Sequence, residues 1–187
     1  MCGICGFIGA SNKDNIFKMT DKLIHRGPDE FGHFYSPENN IALGHRRLKI
    51  IDLNSGQQPM FNSDKSLAIV FNGEIYNFLS LKKKLESNGY KFASNSDTEV
   101  LLYAYQEWRE DCLNYLNGMF AFVIVNLQNN TVFAARDRFG KKQFYYFHSQ
   151  KLFAFASELT ALLQLPEIEK KINYSALKQY LFFEYVP

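Results

Sequence analysis

Apolar residues recur along the chain with two periods, and these predict an alternation of strands and helices. Runs rich in β-branched and aromatic residues predict strands at positions 3–9, 31–36, 41–52, 67–71, 119–127, 131–135, 144–147 and 152–155. The near-continuous apolar run at 67–71 is typical of a strand that is covered on both faces. Asn129-Asn130 separates two of the later runs and indicates a hairpin turn.

Helical spacing of apolar residues predicts helices between these strands. The first helix is predicted over 14–25, with an apolar face of Ile16, Phe17, Leu23 and Ile24. The second is predicted to begin after the cap Asn77 and to end at Gly89, with the core residues Phe78, Leu81 and Leu85. Short helices are predicted over 157–163 and 174–183.

A third helix carries the sequence signature of a capping box. Ser96 is its predicted N-cap, and Glu99 follows three residues later. Leu101, Tyr105 and Trp108 recur at helical spacing, so Trp108 is predicted to belong to the core. Many strands with helices at both ends of the sequence indicate stacked sheets covered by helices. Periodicity alone therefore predicts one mixed α and β layered domain of 187 residues.

Composition and charge exclude several classes of protein. Hydrophobic residues make up 47% of the chain and aromatic residues 16%, which is too apolar for a disordered protein. The net charge is +2 and the basic residues are scattered, so we expect no nucleic-acid partner. No apolar run reaches the roughly 18–20 residues of a membrane span, and the first residues do not have the pattern of a signal peptide. We therefore expect no membrane partner.

Three cysteines, Cys2, Cys5 and Cys112, form no disulfide framework because their number is odd, and a reducing, cytoplasmic setting fits them best. Cys2-Gly3-Ile4-Cys5 also matches a C-x-x-C redox or zinc motif. A redox motif would follow a strand, and nothing precedes this one. Zinc would need four ligands at recognisable spacing, and the remaining cysteine and the four dispersed histidines do not supply them. We predict no metal site.

Cys2 has a chemical property that no other cysteine of the chain shares. The initiator Met is normally removed before a small residue, which would make Cys2 the N-terminal residue. It would then carry a thiol, with an ordinary pKa near ~8.5, and a free α-amine, with an ordinary pKa near ~8. The amine can serve as a built-in base for the thiol, so that no histidine is needed. Cys2 is therefore a candidate nucleophile.

Nine segments of the chain together resemble a known family. In order and spacing they are similar to the class II glutamine amidotransferase domain, of the N-terminal nucleophile hydrolase type, and to its asparagine synthetase branch. The segments are CGICGFIG, HRGPDEFG, GHRRLKIIDL, QQP, FNGEIYN, SDTEV, GMFAFVI, ARDRFG and ASEL. The resemblance runs from Cys2 almost to Pro187. It implies an α+β fold, a four-layer αββα sandwich in which two mainly antiparallel sheets are flanked by helices.

The resemblance also implies catalytic roles for three residues. Cys2 matches the family nucleophile, which attacks the side-chain amide of L-glutamine, forms a γ-glutamyl thioester and releases ammonia. Asn72 and Gly73 match the oxyanion hole, through a side-chain amide and a backbone N–H. One such donor contributes about 10²–10³ in rate. The alternative for Asn72-Gly73 is a simple turn after a strand that ends at Phe71.

Three further residues match the family's residues that bind the α-carboxylate and α-ammonium groups of glutamine. Arg47 matches the arginine that pairs with the α-carboxylate, a role that suits its planar fork. Glu74 and Asp97 match the carboxylates that accept the α-ammonium. Asp97 has a second explanation, because the helix dipole favours an acid in a first helical turn. Arg46 is expected on the opposite face of its strand from Arg47, and we assign it no role.

Other matching segments are expected to be structural. Arg26 and its RGPD segment are expected to shape the loop beside the nucleophile. Arg136, Asp137 and Arg138 are expected to form an ion-pair cluster near the ammonia exit. After RDRFG the family usually continues with Ile-Lys-Pro, and this chain has Lys141-Lys142-Gln143 instead. That departure bears on the ammonia route and less on glutamine hydrolysis.

The resemblance divides the chain at residue 180. It implies a glutaminase domain at 2–180 and, at 181–187, the start of a linker to an ATP-dependent synthetase domain that this sequence does not contain. The expected partners are L-glutamine, that synthetase domain in cis or in trans, and a possible homodimer. No cofactor is expected here, since ATP and magnesium would act in the synthetase domain. The alternatives are a regulatory or interaction module that retains the fold, and an amidotransferase with another acceptor such as a sugar acid.

Overall fold

The computed structural model describes residues 1–49 and 56–187. Nine strands lie in these ranges: β1 (Gly3–Gly9), β2 (Glu30–Ser36), β3 (Ile41–Arg47), β4 (Met60–Phe61), β5 (Leu67–Ile75), β6 (Gly118–Asn126), β7 (Thr131–Arg136), β8 (Tyr145–His148) and β9 (Leu152–Ala156). The helices are α1 (Asp14–Asp21), α2 (Phe78–Ser87), α3 (Asp97–Trp108), α4 (Leu159–Leu162) and α5 (Tyr174–Phe183), with a 3₁₀ helix at Arg109–Asn114. Most predicted elements are confirmed, and residues 50–52 of the predicted third strand lie outside the described residues.

The strands form two sheets, and every pair of neighbouring strands is antiparallel. One sheet has the order β2-β3-β1-β9-β8, and the other has the order β4-β5-β6-β7. β6 and β7 form the predicted hairpin around Asn129-Asn130, where Asn130 adopts a positive φ of 58°. β8 and β9 form the second predicted hairpin.

Three apolar cores hold the layers together. The core between the two sheets joins Ile4, Leu43 and Phe155 of the first sheet to Val70 and Val123 of the second. A second core packs the outer face of the first sheet against α1 and α4, and a third packs the outer face of the second sheet against α2 and α3. The order of layers is therefore helix, sheet, sheet, helix. The predicted four-layer αββα sandwich is confirmed.

The first helix differs from its prediction. It ends at Asp21 and continues as turns rather than reaching residue 25. Phe17 and Ile24 were predicted for its buried face, and this is wrong, since they are 41% and 52% exposed. Ile16, Met19 and Leu23 are buried instead. The prediction was wrong because it extended one helical period over the whole segment, whereas the helix ends after Asp21 and residues 22–26 form non-helical turns.

The caps of α2 and α3 also differ in detail from their predictions. Asn77 makes no side-chain cap for α2, because its side chain bonds to the backbone of Tyr115 and Asn117. Ser96 does cap α3, accepting the N–H of Thr98 at 3.2 Å. The Glu99 carboxylate turns to the N–H groups of Ala93 and Ser94, so the reciprocal half of the predicted capping box is wrong.

Candidate active site

Side-chain alternation directs three predicted residues into the gap between the sheets. On β1, Ile4 faces the inter-sheet core, and Cys2 lies two residues before it. On β3, Leu43 faces the same core, and Arg47 lies four residues later. On β5, Val70 does so, and Asn72 follows two residues on. Residues an even number of positions apart share one face of a strand. All three side chains therefore reach one end of the inter-sheet gap.

Cys2 is held at that end by contacts with two segments. Its Sγ lies 3.4 Å from the backbone N of Leu48 and 3.6 Å from the Leu48 carbonyl oxygen. Its own carbonyl oxygen accepts a hydrogen bond from Nε of Arg26 at 3.0 Å, and Arg26 also pairs with Glu158 at 3.0 Å. Arg26 thus fixes the backbone of the candidate nucleophile, in agreement with its expected structural role.

Asn72 and Gly73 lie within β5, so the alternative of a turn after Phe71 is wrong. The strand continues to Ile75, and Asn72 and Gly73 pair with Ala121 and Phe120 of β6. A Cβ atom at position 73 would collide with the Met119 carbonyl oxygen, so the close approach of β6 requires glycine here.

The side-chain amide of Asn72 is an unused donor. Asn72 is 1% exposed, and its Nδ2 has no hydrogen-bond partner among the described residues. A buried N–H group without a partner costs about 1–3 kcal/mol. Such a group in a native fold needs an explanation, and the simplest is that its acceptor is a ligand.

The adjacent arginines of β3 have opposite environments, as period-two alternation predicts. Arg46 points to α1, where it donates to the Thr20 carbonyl and pairs with Asp21 at 2.7 Å. Arg47 points into the gap between the sheets and pairs with Glu30 at 2.8 Å. Hydrogen bonds from Lys49 and Arg47 lower the pKa of Glu30 below its usual range, so this carboxylate stays ionised.

Asp97 is a buried carboxylate at the start of α3. It is 5% exposed, and its Oδ2 accepts the backbone N–H of Ile75 at 3.1 Å. Burial raises the pKa of Asp97 from 3.8 to about 6, and the nearby charge of Glu74 also raises it. Hydrogen bonds from the backbone of Ile75 and Thr98 lower the pKa and so oppose part of this rise. Two acids next to each other in a buried site favour a cationic ligand.

One cleft of about 140 Å³ brings all six predicted residues together. Cys2, Arg47, Asn72, Gly73, Glu74 and Asp97 line it. That volume holds roughly ten water molecules, which is the scale of one small solute. Cleft residues that the sequence did not single out include Leu48, Gln58, Thr98, Met119 and Lys142.

Gln58 is one residue whose position the sequence did not reveal. Its side-chain amide bonds to both the N–H and the carbonyl of Phe71, and it also donates to the hydroxyl of Thr98 at 3.2 Å. It therefore ties β5 to the start of α3 beneath the cleft. The QQP segment of the resemblance included Gln58, and that was the one available signal.

The expected ion-pair cluster of Arg136, Asp137 and Arg138 is wrong. Arg136 donates to the carbonyls of Gly140 and Lys142, Asp137 accepts backbone N–H groups, and Arg138 donates to the Leu113 carbonyl. Within the described ranges, no ion pair joins the three residues. Their charged groups organise a loop through backbone contacts.

The second cysteine of the C-x-x-C segment does not belong to the cleft. Cys5 is fully buried against α1, beside the hydroxyl of Thr20 at 3.5 Å, and burial raises the pKa of its thiol to about 12. In residues 1–49 and 56–187, no group of three His, Cys, Asp or Glu residues is placed to hold a metal ion. Over the same ranges, no helix is both long enough and apolar enough to cross a bilayer.

A family model described as the glutamine amidotransferase domain matches residues 1–187. The chain therefore belongs to the glutamine amidotransferase domain family, which confirms the family that its motifs resemble. It is a domain of an enzyme family.

Within that class, the chain is similar to several glutamine-hydrolysing asparagine synthetases. Asparagine synthetase 3 of Bacillus subtilis is 40% identical over 186 residues, which cover 96% of this chain and 30% of that protein. Putative asparagine synthetase 2 of Methanocaldococcus jannaschii is 40% identical over 209 residues, which cover 100% of this chain and 40% of that protein. The chain thus spans less than half the length of these relatives.

Two solved structures share the fold. A glutamine phosphoribosylpyrophosphate amidotransferase from B. subtilis, complexed with ADP and GMP, has a TM-score of 0.72 at 23% identity and covers 86% of this chain and 43% of that chain. An allosteric regulatory enzyme of purine biosynthesis has a TM-score of 0.73 at 24% identity and covers 87% and 43%. At this identity the likeness concerns the fold alone, and it agrees with the predicted αββα sandwich.

Proposed function

We propose that this chain hydrolyses the side-chain amide of L-glutamine to glutamate and ammonia through a γ-glutamyl thioester on Cys2. The observation that carries the proposal is a cleft that contains both the cysteine at position 2 and Asn72, whose Nδ2 has no hydrogen-bond partner in the part of the chain that the structure describes. A nucleophile and a preorganised oxyanion donor are the two groups that acyl transfer from an amide requires.

The first half of the reaction forms the thioester. After removal of Met1, the α-amine of Cys2 accepts the thiol proton, and Sγ forms a bond with the amide carbon. Asn72 Nδ2 and the Gly73 N–H stabilise the resulting oxyanion. The C–N bond then breaks, and ammonia leaves with the proton that the α-amine had taken.

The second half restores the enzyme. Water attacks the thioester, its proton passes through the same α-amine, and glutamate leaves as Cys2 regains its thiol. The amino-acid end of the substrate stays bound throughout. Arg47 is the proposed partner of the α-carboxylate, and Glu74 and Asp97 are the proposed partners of the α-ammonium. The cleft is lined both by a cation, Arg47, and by the acids Glu74 and Asp97, which supports partners for both charged groups of an amino acid.

Released ammonia is proposed to pass to a synthetase domain, which makes asparagine from aspartate and ATP with magnesium. The names of the relatives support aspartate as acceptor over a sugar acid.

Exposed apolar side chains on α5 and on the residues after it support a partner that covers this helix. These side chains are Tyr174, Tyr180, Leu181, Phe182, Phe183 and Tyr185. Exposed apolar side chains that are grouped on one helix and the residues after it are typical of an interface. The boundary at residue 180, the homodimer and the cytoplasmic setting remain predictions.

The test is an ammonia-release assay on protein whose intact mass shows that it begins at Cys2. We expect release from L-glutamine, and much less from L-asparagine, whose amide is one methylene nearer the gripped end. A protein that retains Met1 should be inactive, because its Cys2 amine is acylated. Equal ammonia release by wild type and Cys2→Ala would contradict the proposal.

A further inference from the structure

Lys142 is a buried cation at the cleft that the proposed reaction does not yet use. It is 5% exposed and lines the cleft together with Cys2. Lysines are almost never this buried unless they are paired. Among the residues that the structure describes, no carboxylate forms an ion pair with it.

The ammonium of Lys142 lies at the start of the chain. Its Nζ is 3.3 Å from Sδ of Met1, the residue bonded directly to Cys2. A thioether sulfur is a weak acceptor and does not compensate a buried positive charge. When Met1 is removed, that contact is lost, and the ammonium is left beside the new α-amine and thiol.

The loop before Lys142 holds its backbone in place. The Asp137 carboxylate accepts the N–H groups of Lys141 at 2.9 Å and Lys142 at 3.0 Å, and it also accepts that of Phe120. Arg136 donates through Nε to the Lys142 carbonyl at 2.7 Å. These are the contacts that the Arg136–Arg138 segment makes in place of ion pairs. The segment therefore fixes the point from which the lysine reaches the cleft.

We propose, on the basis of the proposed glutamine hydrolysis, that Lys142 is a positioning residue that places a positive charge beside the Cys2 nucleophile. The charge favours the thiolate over the thiol. It also opposes protonation of the α-amine and so keeps the amine in its basic form. Both effects come from one cation, and both increase the fraction of enzyme that is ready to react near neutral pH.

The charged groups around Lys142 are consistent with an interaction between its ammonium and Cys2. Burial lowers the pKa of Lys142, and the Arg26 guanidinium adds to that effect, while Cys2, Glu74 and Asp137 raise it. The interaction with Cys2 is reciprocal, so a cation that the thiolate stabilises also stabilises the thiolate. Arg26 is engaged by the Cys2 carbonyl and by Glu158, whereas Lys142 forms no ion pair within the described ranges.

The test measures the rate of alkylation of Cys2 by iodoacetamide as a function of pH, with the modified peptide identified by mass. It uses mature wild type, Lys142→Met, Lys142→Gln and the control Lys141→Met, which removes the same charge from an exposed neighbour. We expect both neutral variants at 142 to move the alkylation midpoint upward by about one pH unit. The acidic limb of kcat/KM for glutamine should move with it, and Lys141→Met should match wild type.

Two further results separate charge from packing. Removing an unpaired buried charge is neutral or stabilising, so Lys142→Met should melt no lower than wild type, whereas a purely structural role predicts a lower Tm. An unchanged midpoint in both neutral variants, a shift in Lys142→Met alone, or an equal shift in Lys141→Met would overturn the inference. If wild type does not hydrolyse glutamine but the midpoint still shifts, the proposed function fails and the inference stands.

Discussion

Two cysteines three residues apart, Cys2 directly before β1 and Cys5 within it, have opposite surroundings. Cys5 faces α1, is fully buried, and has a pKa raised to about 12, so it is an inert core residue. Cys2 faces the gap between the sheets, at an end where the apolar core gives way to a polar cleft. The difference teaches that the layer which a cysteine side chain enters decides whether it reaches the cleft or the closed core. The helix-covered side is closed, and the inter-sheet side is open at one end.

The first prediction replaces each of the two cysteines by alanine in turn, and it has the largest expected effect. Cys2→Ala should abolish glutamine-dependent ammonia release, since loss of a nucleophile costs as much as ~10⁶ in kcat. Cys5→Ala should keep kcat and lose about 1 kcal/mol of stability through a small cavity. Ammonia release and urea denaturation measure the two. A loss of activity in folded Cys5→Ala would remove the distinction between the two sides.

The second prediction compares the polar end of β5 with its apolar middle. Asn72→Ala should lower kcat by about 10²–10³ with little change in KM, because an oxyanion donor acts in the transition state. Its stability should hold or rise, since a buried donor without a partner among the described residues is removed. Val70→Ala, two residues earlier, should cost about 2 kcal/mol and leave kcat unchanged. Steady-state kinetics and thermal melts check both, and a normal kcat in Asn72→Ala would argue against the oxyanion role.

The third prediction uses the adjacent arginines of β3. Arg47→Gln should raise KM for glutamine by about 10²-fold, because a charged hydrogen bond to the α-carboxylate contributes about 1.5–3 kcal/mol. Arg46→Gln should leave KM unchanged and cost about 1 kcal/mol of stability through lost contacts with Thr20 and Asp21. Matching KM changes in the two variants would mean that alternation does not separate their roles.

The fourth prediction concerns pH and has the smallest effect. Binding of the α-ammonium needs ionised Asp97, whose pKa is about 6, so KM should rise up to about tenfold between pH 7 and pH 5. The pKa is raised above its unfolded value, so the folded state binds the proton more tightly. Ionisation of Asp97 therefore lowers the free energy of unfolding as the pH rises from about 4 to 6. Above pH 6 the whole loss, about 3 kcal/mol, is present.

Asp97→Asn tests the same residue through stability. It should raise the free energy of unfolding at pH 8 and not at pH 4. It should also weaken glutamine binding at pH 8 and leave it nearly unchanged at pH 4, where the Asp97 carboxyl is already neutral. Urea titrations at the two pH values measure the first effect, and KM measures the second. Glu99→Gln is a suitable control, because Glu99 is a buried acid of the same helix turned toward Ala93 and Ser94. An equal gain in both variants at pH 8 would assign the effect to α3 as a whole.

Local patterns predicted most elements, and they failed where a tertiary contact replaced a local one. The hairpin at Asn129-Asn130 and helix α5 were predicted closely, since both depend on residues adjacent in sequence. Asn77 was predicted as a helix cap, but its amide is taken by a segment that lies 38 and 40 residues later. Arg136 and Asp137 were predicted to pair, but each found backbone groups of a loop instead.

The residues of the candidate site also separate into those that the sequence predicted and those that only the structure revealed. Family resemblance provided six of the residues that line the cleft, and period-two alternation provided the separation of Arg46 from Arg47. Gln58 and Lys142 were not predicted as cleft residues, because each reaches it from a segment whose local pattern carries no sign of burial. Polar side chains are predicted to be exposed unless their partners are known, and these partners lie far away in sequence.

The sequence by itself determined the strands and helices, the family, and the identity of the residues with chemistry to offer. Only the tertiary structure decided that Asn72 is buried with its Nδ2 unpartnered in the described chain, that Asp97 is desolvated, and that Lys142 lines the same cleft as Cys2 and contacts Met1. The reason is physical. Periodicity is a property of neighbours along the chain, whereas burial and charge depend on atoms that meet across two stacked sheets.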